Sequence, residues 1–215
     1  MSDGAAPVRI AAIIPVGTAE GAKTRLGETL DAEERHELVD GFLARTVETA
    51  LAVARFADVL VVSPDRGLLA RATGLGARTL RQRSRGLRAG LADARTDVVA
   101  GGATAVVVLP IDLPFVSVEA VDAVIDALVA PETDAGPTVV LVTDRHGTGT
   151  NALGLRPPEV IDFAFGAGSR AAHRDRAAAA GARFVEVDGP LTVDLDTPED
   201  LVYVESLGSE RLGVG

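Results

Sequence analysis

The residues best placed to do chemistry in this chain are suited to a phosphate and a cation. Lys23 is the only lysine among 21 lysines and arginines. It sits in "PVGTAEGAKTRLG" (15–27), a glycine-containing loop that follows an apolar run. Its ammonium and the guanidinium of Arg25, with backbone N–H groups from Gly17 to Gly21, are suited to wrapping a nucleotide triphosphate. Asp112 stands between two prolines in "PIDLPF" (110–115), directly beyond an uncharged apolar run. A carboxylate there is a natural ligand for magnesium. Asp194 and Asp196 in "VDLDTPEDL" (193–201) are one residue apart. On an extended segment such positions share a face, and two carboxylates on one face repel unless a cation or solvent separates them. Two glycine-rich stretches complete the set, "GTGTN" (147–151) and "FGAGSRAAH" (165–173). In the second, two glycines precede a helix capped by Ser169. Free N–H groups at such a helix start form an anion site, suited to the carboxylate of a small acid.

Each feature has a structural alternative that the sequence alone leaves open. The first loop departs from a P-loop, because Ala22 separates Gly21 from Lys23; it is otherwise a solvated loop. Asp112, Asp194 and Asp196 also suit turns and helix caps. The glycine stretches suit ordinary turn and cap chemistry. "RTLRQRSRGLR" (78–88) carries five arginines and reads as an anion clamp or as a solvated loop. His36, His146 and His173 lack metal-ligand spacing with one another. His36 is expected on an exposed helix face, and His173, one turn into a helix, is a minor candidate for contact with a substrate anion.

The elements that must position these residues alternate in type. Strands are expected at 8–16, 58–63, 77–80, 104–110, 138–143, 183–188 and 191–196, and helices at 31–54, 66–74, 86–100, 117–130, 169–181 and 197–208, with the last residues as a frayed tail. Strands alternating with helices imply parallel βαβ units, and uncharged strands imply a sheet covered on both faces. The expected fold is therefore α/β, a three-layer α/β/α Rossmann-like sandwich with a mostly parallel sheet, forming one domain over 1–215 with a core at about 8–207. Ligands of open α/β sheets bind beyond the carboxyl ends of the strands. There stand Pro15 and Gly17 after the first strand, Ser63 after the second and Gly86 opening the third helix, all expected along the nucleotide.

Hydrophobic residues make up 47% of the 215, enough for a core, but aromatics only 3%, so Ala, Val and Leu must fill it. A net charge of −10 argues against non-specific nucleic-acid or anionic-membrane binding. The absence of cysteine excludes disulfides, thiol catalysis and cysteine zinc sites. The start lacks a basic region before its apolar run, so a cytoplasmic protein without a secretory signal is expected.

Taken in order, "AKTRL", "PIDLP", "DRHGTGTNAL", "FGAGSRAAH" and "VDLDTPEDL" resemble the phosphoenolpyruvate or 2-phospho-L-lactate guanylyltransferases of deazaflavin coenzyme F-420 biosynthesis, over residues 8 to 205. The resemblance implies a nucleotide-diphospho-sugar transferase-like fold. It implies GTP as co-substrate, a phosphorylated carboxylic acid as acceptor and pyrophosphate as leaving group. It further implies magnesium held at Asp112, Asp194 and Asp196, the acid's carboxylate bound at Thr150, Gly166 and Ser169, and a homodimer. Many members carry Gly-Leu-Asn where this chain has Gly86-Leu87-Arg88, which opens base and sugar recognition, and some members use 3-phosphoglycerate. Another nucleotidyltransferase of this fold, acting on a sugar, and a non-catalytic nucleotide-binding module are the competing readings.

Overall fold

The computed structural model describes residues 7–18, 31–130 and 136–212; Lys23 and Arg25 lie outside them. Seven strands form one sheet in the order β3-β2-β1-β4-β6-β5-β7. They are β1 (Ile10–Pro15), β2 (Phe56–Ser63), β3 (Arg78–Arg81), β4 (Ala105–Val108), β5 (Thr138–Val142), β6 (Ala152–Arg156) and β7 (Arg183–Glu186). The helices are α1 (Ala32–Ala52), α2 (Arg66–Gly74), α3 (Leu87–Ala100), α4 (Val118–Val129), α5 (Ser169–Ala179) and α6 (Pro198–Leu212). The β1–β2, β1–β4, β2–β3 and β5–β7 pairs are parallel.

Alternation along the strands explains the three layers. Ala12, Ile14, Val59, Val61 and Val107 point to one face, where α1, α2 and α4 bury Leu43, Val47, Leu68 and Val124 against them. Ala11, Ile13, Leu60, Val62, Val106 and Val108 point to the other, where they meet Leu91, Ala94 and Val98 of α3 and, further along, Ala177 of α5. With both faces covered, every residue of β1 and β4 is buried. Helix starts follow their caps. Asp31 accepts from the N–H groups of Glu33 and Glu34 while Glu34 reaches back to its N–H at 2.8 Å, and the Ser117 hydroxyl accepts from Ala120 N–H.

Three elements differ from expectation. β6 is an additional strand, antiparallel to both β4 and β5. Residues 191–196 form no strand; a 3-10 turn at Pro190–Thr192 leads into an irregular segment. α6 continues to Leu212, past the expected end at 208. Among the described residues no helix is long and apolar enough to cross a membrane.

Candidate nucleotide and acid site

β1 lies between β2 and β4, so the chain leaves it first to one side and later to the other. Such a switch point opens a crevice beyond the carboxyl ends of the strands. A cleft of about 360 Å³ lies there, lined by Pro15 at the end of β1 and Gly17 beyond it, Pro64 beyond β2, Gln82, Gly86 and Gly90 at the entry to α3, Asp112 beyond β4, and Asp196. Ser63 lies behind this wall. It is fully buried, donates to Gly17 O at 3.4 Å and accepts from Asp65 N–H at 3.0 Å. It braces the loop instead of lining the cleft.

The floor beside α3 is set by Gln82, which the sequence reading did not single out. Its N–H continues the β2–β3 pairing to Ser63 O at 2.9 Å. Its side-chain amide donates to Ser84 O at 2.6 Å and Gly86 O at 2.9 Å. That turn needs Gly86 at φ +89°, a conformation side chains disfavour. Gly90 makes room for the amide, because a Cβ there would lie 2.6 Å from Gln82 Oε1. The arginine-rich stretch does not converge on this cleft. Arg78 is bound to Asp58 and Asp97, and Arg81 and Arg83 line a separate open groove with Asp93 and Asp97.

The acidic wall joins two distant segments. Leu195 N–H donates to Asp112 O at 2.9 Å, which brings the 193–196 segment to the loop after β4. Although no strand forms there, burial still alternates: Val193 and Leu195 are buried, Asp194 and Asp196 half-buried. Asp112 and Asp196 line the cleft. Asp194 does not; it is bonded by the Asn151 side chain, and its pKa is raised by burial and then by the charge of Asp196. Asp200 holds this segment in place. It is 4% exposed, and one carboxylate oxygen accepts from the N–H groups of Asp196 and Thr197 and from the Thr197 hydroxyl. The other accepts from Arg145 Nε at 2.9 Å and Nη2 at 2.7 Å. Burial alone would raise the Asp200 pKa; the bonds from Arg145 and Thr197 and from the backbone overcome this and hold it below the ordinary carboxylate range. The T-x-x-D spacing of a capping box carried this signal in the sequence.

Among the described residues no group of three or more His, Cys, Asp and Glu side chains is arranged to hold a metal ion by itself. The donor set on the cleft is two carboxylates. That fits a hard cation that takes its remaining ligands from phosphate oxygens and water, which is how magnesium usually binds.

The glycine-hydroxyl stretches form a second cluster. Asp144 shapes the turn after β5: it accepts from Thr148 N–H at 2.7 Å and the Thr148 hydroxyl at 3.2 Å, and a Cβ on Gly149 would lie 2.7 Å from its Oδ2. Thr150 then meets α5. Ser169 Oγ donates to Thr150 Oγ1 at 2.9 Å, and His173 Nδ1 lies 3.0 Å from the same oxygen. Here the expected helix-start anion site is corrected in detail. Gly168, at φ +72°, is the N-cap, and Ser169 is the first helical residue. Its N–H is spent on Gly166 O at 3.1 Å, and Arg170 N–H on Thr148 O at 3.2 Å. Two of the N–H groups expected to be free are therefore satisfied within the chain. Gly166 is exposed at φ +120°. His173, a minor candidate for contact with a substrate anion, is fully buried beneath Thr150. Its Nε2 accepts from Ala164 N–H at 2.9 Å, the Phe165 ring packs edge-on 5.4 Å away, and burial, then Arg176, lowers its pKa to about 4.

Asn151 links the two clusters. Its amide donates to Leu191 O at 3.0 Å and its side chain also bonds Asp194. The structure thus gathers Pro15, Gly17, Gly86, Asp112 and Asp196 on one cleft. It gathers Thr150 and Ser169 in the adjoining cluster, with Gly166 accepting the Ser169 N–H, and it connects the two through Asn151 and Asp194.

A family model for guanylyl transferases, described as "Guanylyl transferase CofC like", matches residues 10–212. A phosphoenolpyruvate guanylyltransferase of Rubrobacter xylanophilus is 42% identical over 198 residues, covering 92% of this chain and 94% of that protein. Another, from Sphaerobacter thermophilus, is 41% identical over 193 residues, covering 88% and 89%. Among solved structures, a nucleotide-diphospho-sugar transferase assigned as putative from Desulfovibrio desulfuricans G20 superimposes with a TM-score of 0.73 at 19% identity, covering 92% of this chain and 87% of that one; it shares the fold. A match that runs from β1 to the end of α6, with relatives covered along nearly their whole length, makes this chain a member of the CofC-like guanylyl transferase family.

Proposed function

We propose that the protein joins GMP from GTP to phosphoenolpyruvate and releases pyrophosphate, as a step in deazaflavin coenzyme F-420 biosynthesis. A phosphate oxygen of the acid attacks the α-phosphorus of GTP, and the bond from that phosphorus to the bridging oxygen of the β-phosphate breaks. The nucleophile is ionised at neutral pH, so no general base is required, in keeping with a cleft that no histidine lines among the described residues. The difficulty of the reaction is the meeting of two anions. A divalent cation, proposed as magnesium, would supply the charge neutralisation, held by Asp112 and Asp196 on the cleft, with the Asp194 carboxylate beside Asp196 adding negative charge behind them. Gly17 and the residues that follow it in sequence carry the phosphates, with Lys23 and Arg25 balancing charge on the departing pyrophosphate. Gly86 lies against the nucleoside. Thr150, Gly166 and Ser169 form the site for the carboxylate of the acid, with Thr150 as the donor and Ser169 bonded behind it.

The observation that supports this best is the junction of two remote acidic segments, Leu195 N–H on Asp112 O, at the head of the switch-point cleft. The acid is assigned from the relative that is 42% identical over 92% of the chain. The test is incubation with GTP, magnesium and, in turn, phosphoenolpyruvate, 2-phospho-L-lactate and 3-phosphoglycerate, with pyrophosphate release and product mass as readouts. A guanosine diphosphate-linked enolpyruvate as the main product is expected. Pyrophosphate release matched to another acid reassigns the acceptor, and no nucleotidyl product with any of them overturns the reading.

A further inference from the structure

The buried histidine of α5 has no part in the phosphate chemistry, and its partners give it a different one. Ala164 N–H can only donate, so His173 Nε2, 2.9 Å away, must accept and carries no proton. A neutral ring then carries its proton on Nδ1, which donates to Thr150 Oγ1 at 3.0 Å. Ser169 Oγ donates to the same oxygen at 2.9 Å. A hydroxyl has two acceptor positions and one proton. Both acceptor positions of Thr150 are taken, so what remains is the proton. Of the three, Thr150 is the least buried: it is 9% exposed, against 1% for Ser169 and 0% for His173.

We infer that His173 is a positioning residue that fixes the Thr150 hydroxyl as a hydrogen-bond donor, so that the acid end of the site presents a proton to the substrate's carboxylate. This rests on the reading of Thr150, Gly166 and Ser169 as the carboxylate site. The polarity is set from beneath: the backbone at Ala164 dictates the tautomer, the tautomer dictates the direction of the Thr150 bond, and that direction suits an acceptor-only group. A substrate group that must itself donate finds no acceptor on this hydroxyl.

Three measurements on the full chain test it. In nitrogen-15 NMR of the wild-type protein, His173 is expected as the Nδ1-protonated neutral tautomer near pH 7; the Nε2-protonated tautomer overturns the inference whatever the enzyme does. In steady-state kinetics, His173→Phe, which keeps a ring against Phe165 but removes both hydrogen bonds, is expected to raise KM for phosphoenolpyruvate about tenfold, the worth of one well-placed hydrogen bond. KM for GTP and kcat should stay within about threefold. His173→Asn, which returns an N–H near the Nδ1 position, should recover most of the loss. Equal rises in both KM values, or no rise, overturn it. In the Thr150→Val background the His173→Phe effect should vanish, since the two residues act through one hydroxyl; full additivity overturns it. Wild-type protein that transfers to no phosphorylated acid would sink the carboxylate assignment together with the proposed function. An active wild type with an unaltered His173→Phe variant sinks the positioning role alone.

Discussion

Asp112 and Asp196 stand 84 positions apart in the chain by their numbers, yet they line one cleft, where a backbone bond joins their segments. That bond uses the carbonyl of Asp112 and leaves its carboxylate on the cleft. Asp112→Asn therefore separates charge from architecture: the amide keeps the shape and the backbone keeps Leu195. We expect kcat/KM to fall by about a hundredfold or more, the scale of removing one charged contact to a developing phosphoryl transition state. The melting temperature should stay within about 3 °C, a small fraction of the stability of a domain this size. Loss of activity with a matching collapse of the melting temperature would instead make Asp112 a structural turn residue. Asp112 was legible in the sequence because it stands directly beyond an uncharged apolar run, and Asp196 because it lies two positions from Asp194, on a shared face of an extended segment. His173 was not, because α5 carries Ser169, His173 and Ala177 as a narrow buried stripe among arginines and alanines, and spacing does not reveal which polar side chain of such a stripe finds buried partners. Asp200 was half legible: its capping-box spacing was readable, its bond to Arg145 of a distant turn was not.

At the scale of elements, the parallel half of the sheet was readable and the antiparallel insertion was not. Strands β1 and β4 are uncharged apolar runs and β2 becomes one after Asp58, a pattern that burial on both faces demands. β6 is "ALGLR", short, with one glycine and no β-branched residue; its place between β4 and β5 comes from tertiary pairing, and its Gly154 admits Leu128 of α4, 3.4 Å from where a Cβ would be. The 191–196 segment joins no ladder of the sheet, but its alternation of buried and half-buried residues survived. The turn from β3 into α3 supplies a prediction. Gly90→Ala places a methyl group 2.6 Å from Gln82 Oε1, so the amide must leave. Being the end of a flexible side chain it can do so at about 1 kcal/mol of stability, the worth of the hydrogen bonds it surrenders. The Gly86 turn then loses both carbonyl contacts, and KM for GTP should rise several-fold with KM for the acid unchanged. A variant with normal GTP affinity would show that this turn does not touch the nucleotide.

The whole molecule is acidic, with a net charge of −10, and folds around a core with one cluster on each face of the sheet. One buried group couples the global stability to pH near neutrality. The His173 pKa falls from 6.5 to about 4, through burial first and the Arg176 charge second. Since the unfolded chain binds a proton at higher pH than the folded one, stability from this group is fully present above pH 6.5 and is lost as pH falls toward 4, below which it changes no further. Integrated from pH 7.5 to 5, a shift of this size amounts to about 2 kcal/mol, or about 4–8 °C in melting temperature for a chain of this length. The depressed carboxylates Asp144, Glu186 and Asp200 act in the same sense but from lower ordinary values of 3.8, 4.5 and 3.8, so their main losses come below pH 5. Denaturant melts of wild type and His173→Phe at pH 7.5, 6 and 5 separate the two. The wild type should weaken across this range while the variant stays nearly flat, so the stability difference between them shrinks as pH falls. Parallel lines would mean that His173 keeps an ordinary pKa in the folded protein, and that protonation does not disturb the bond from Ala164.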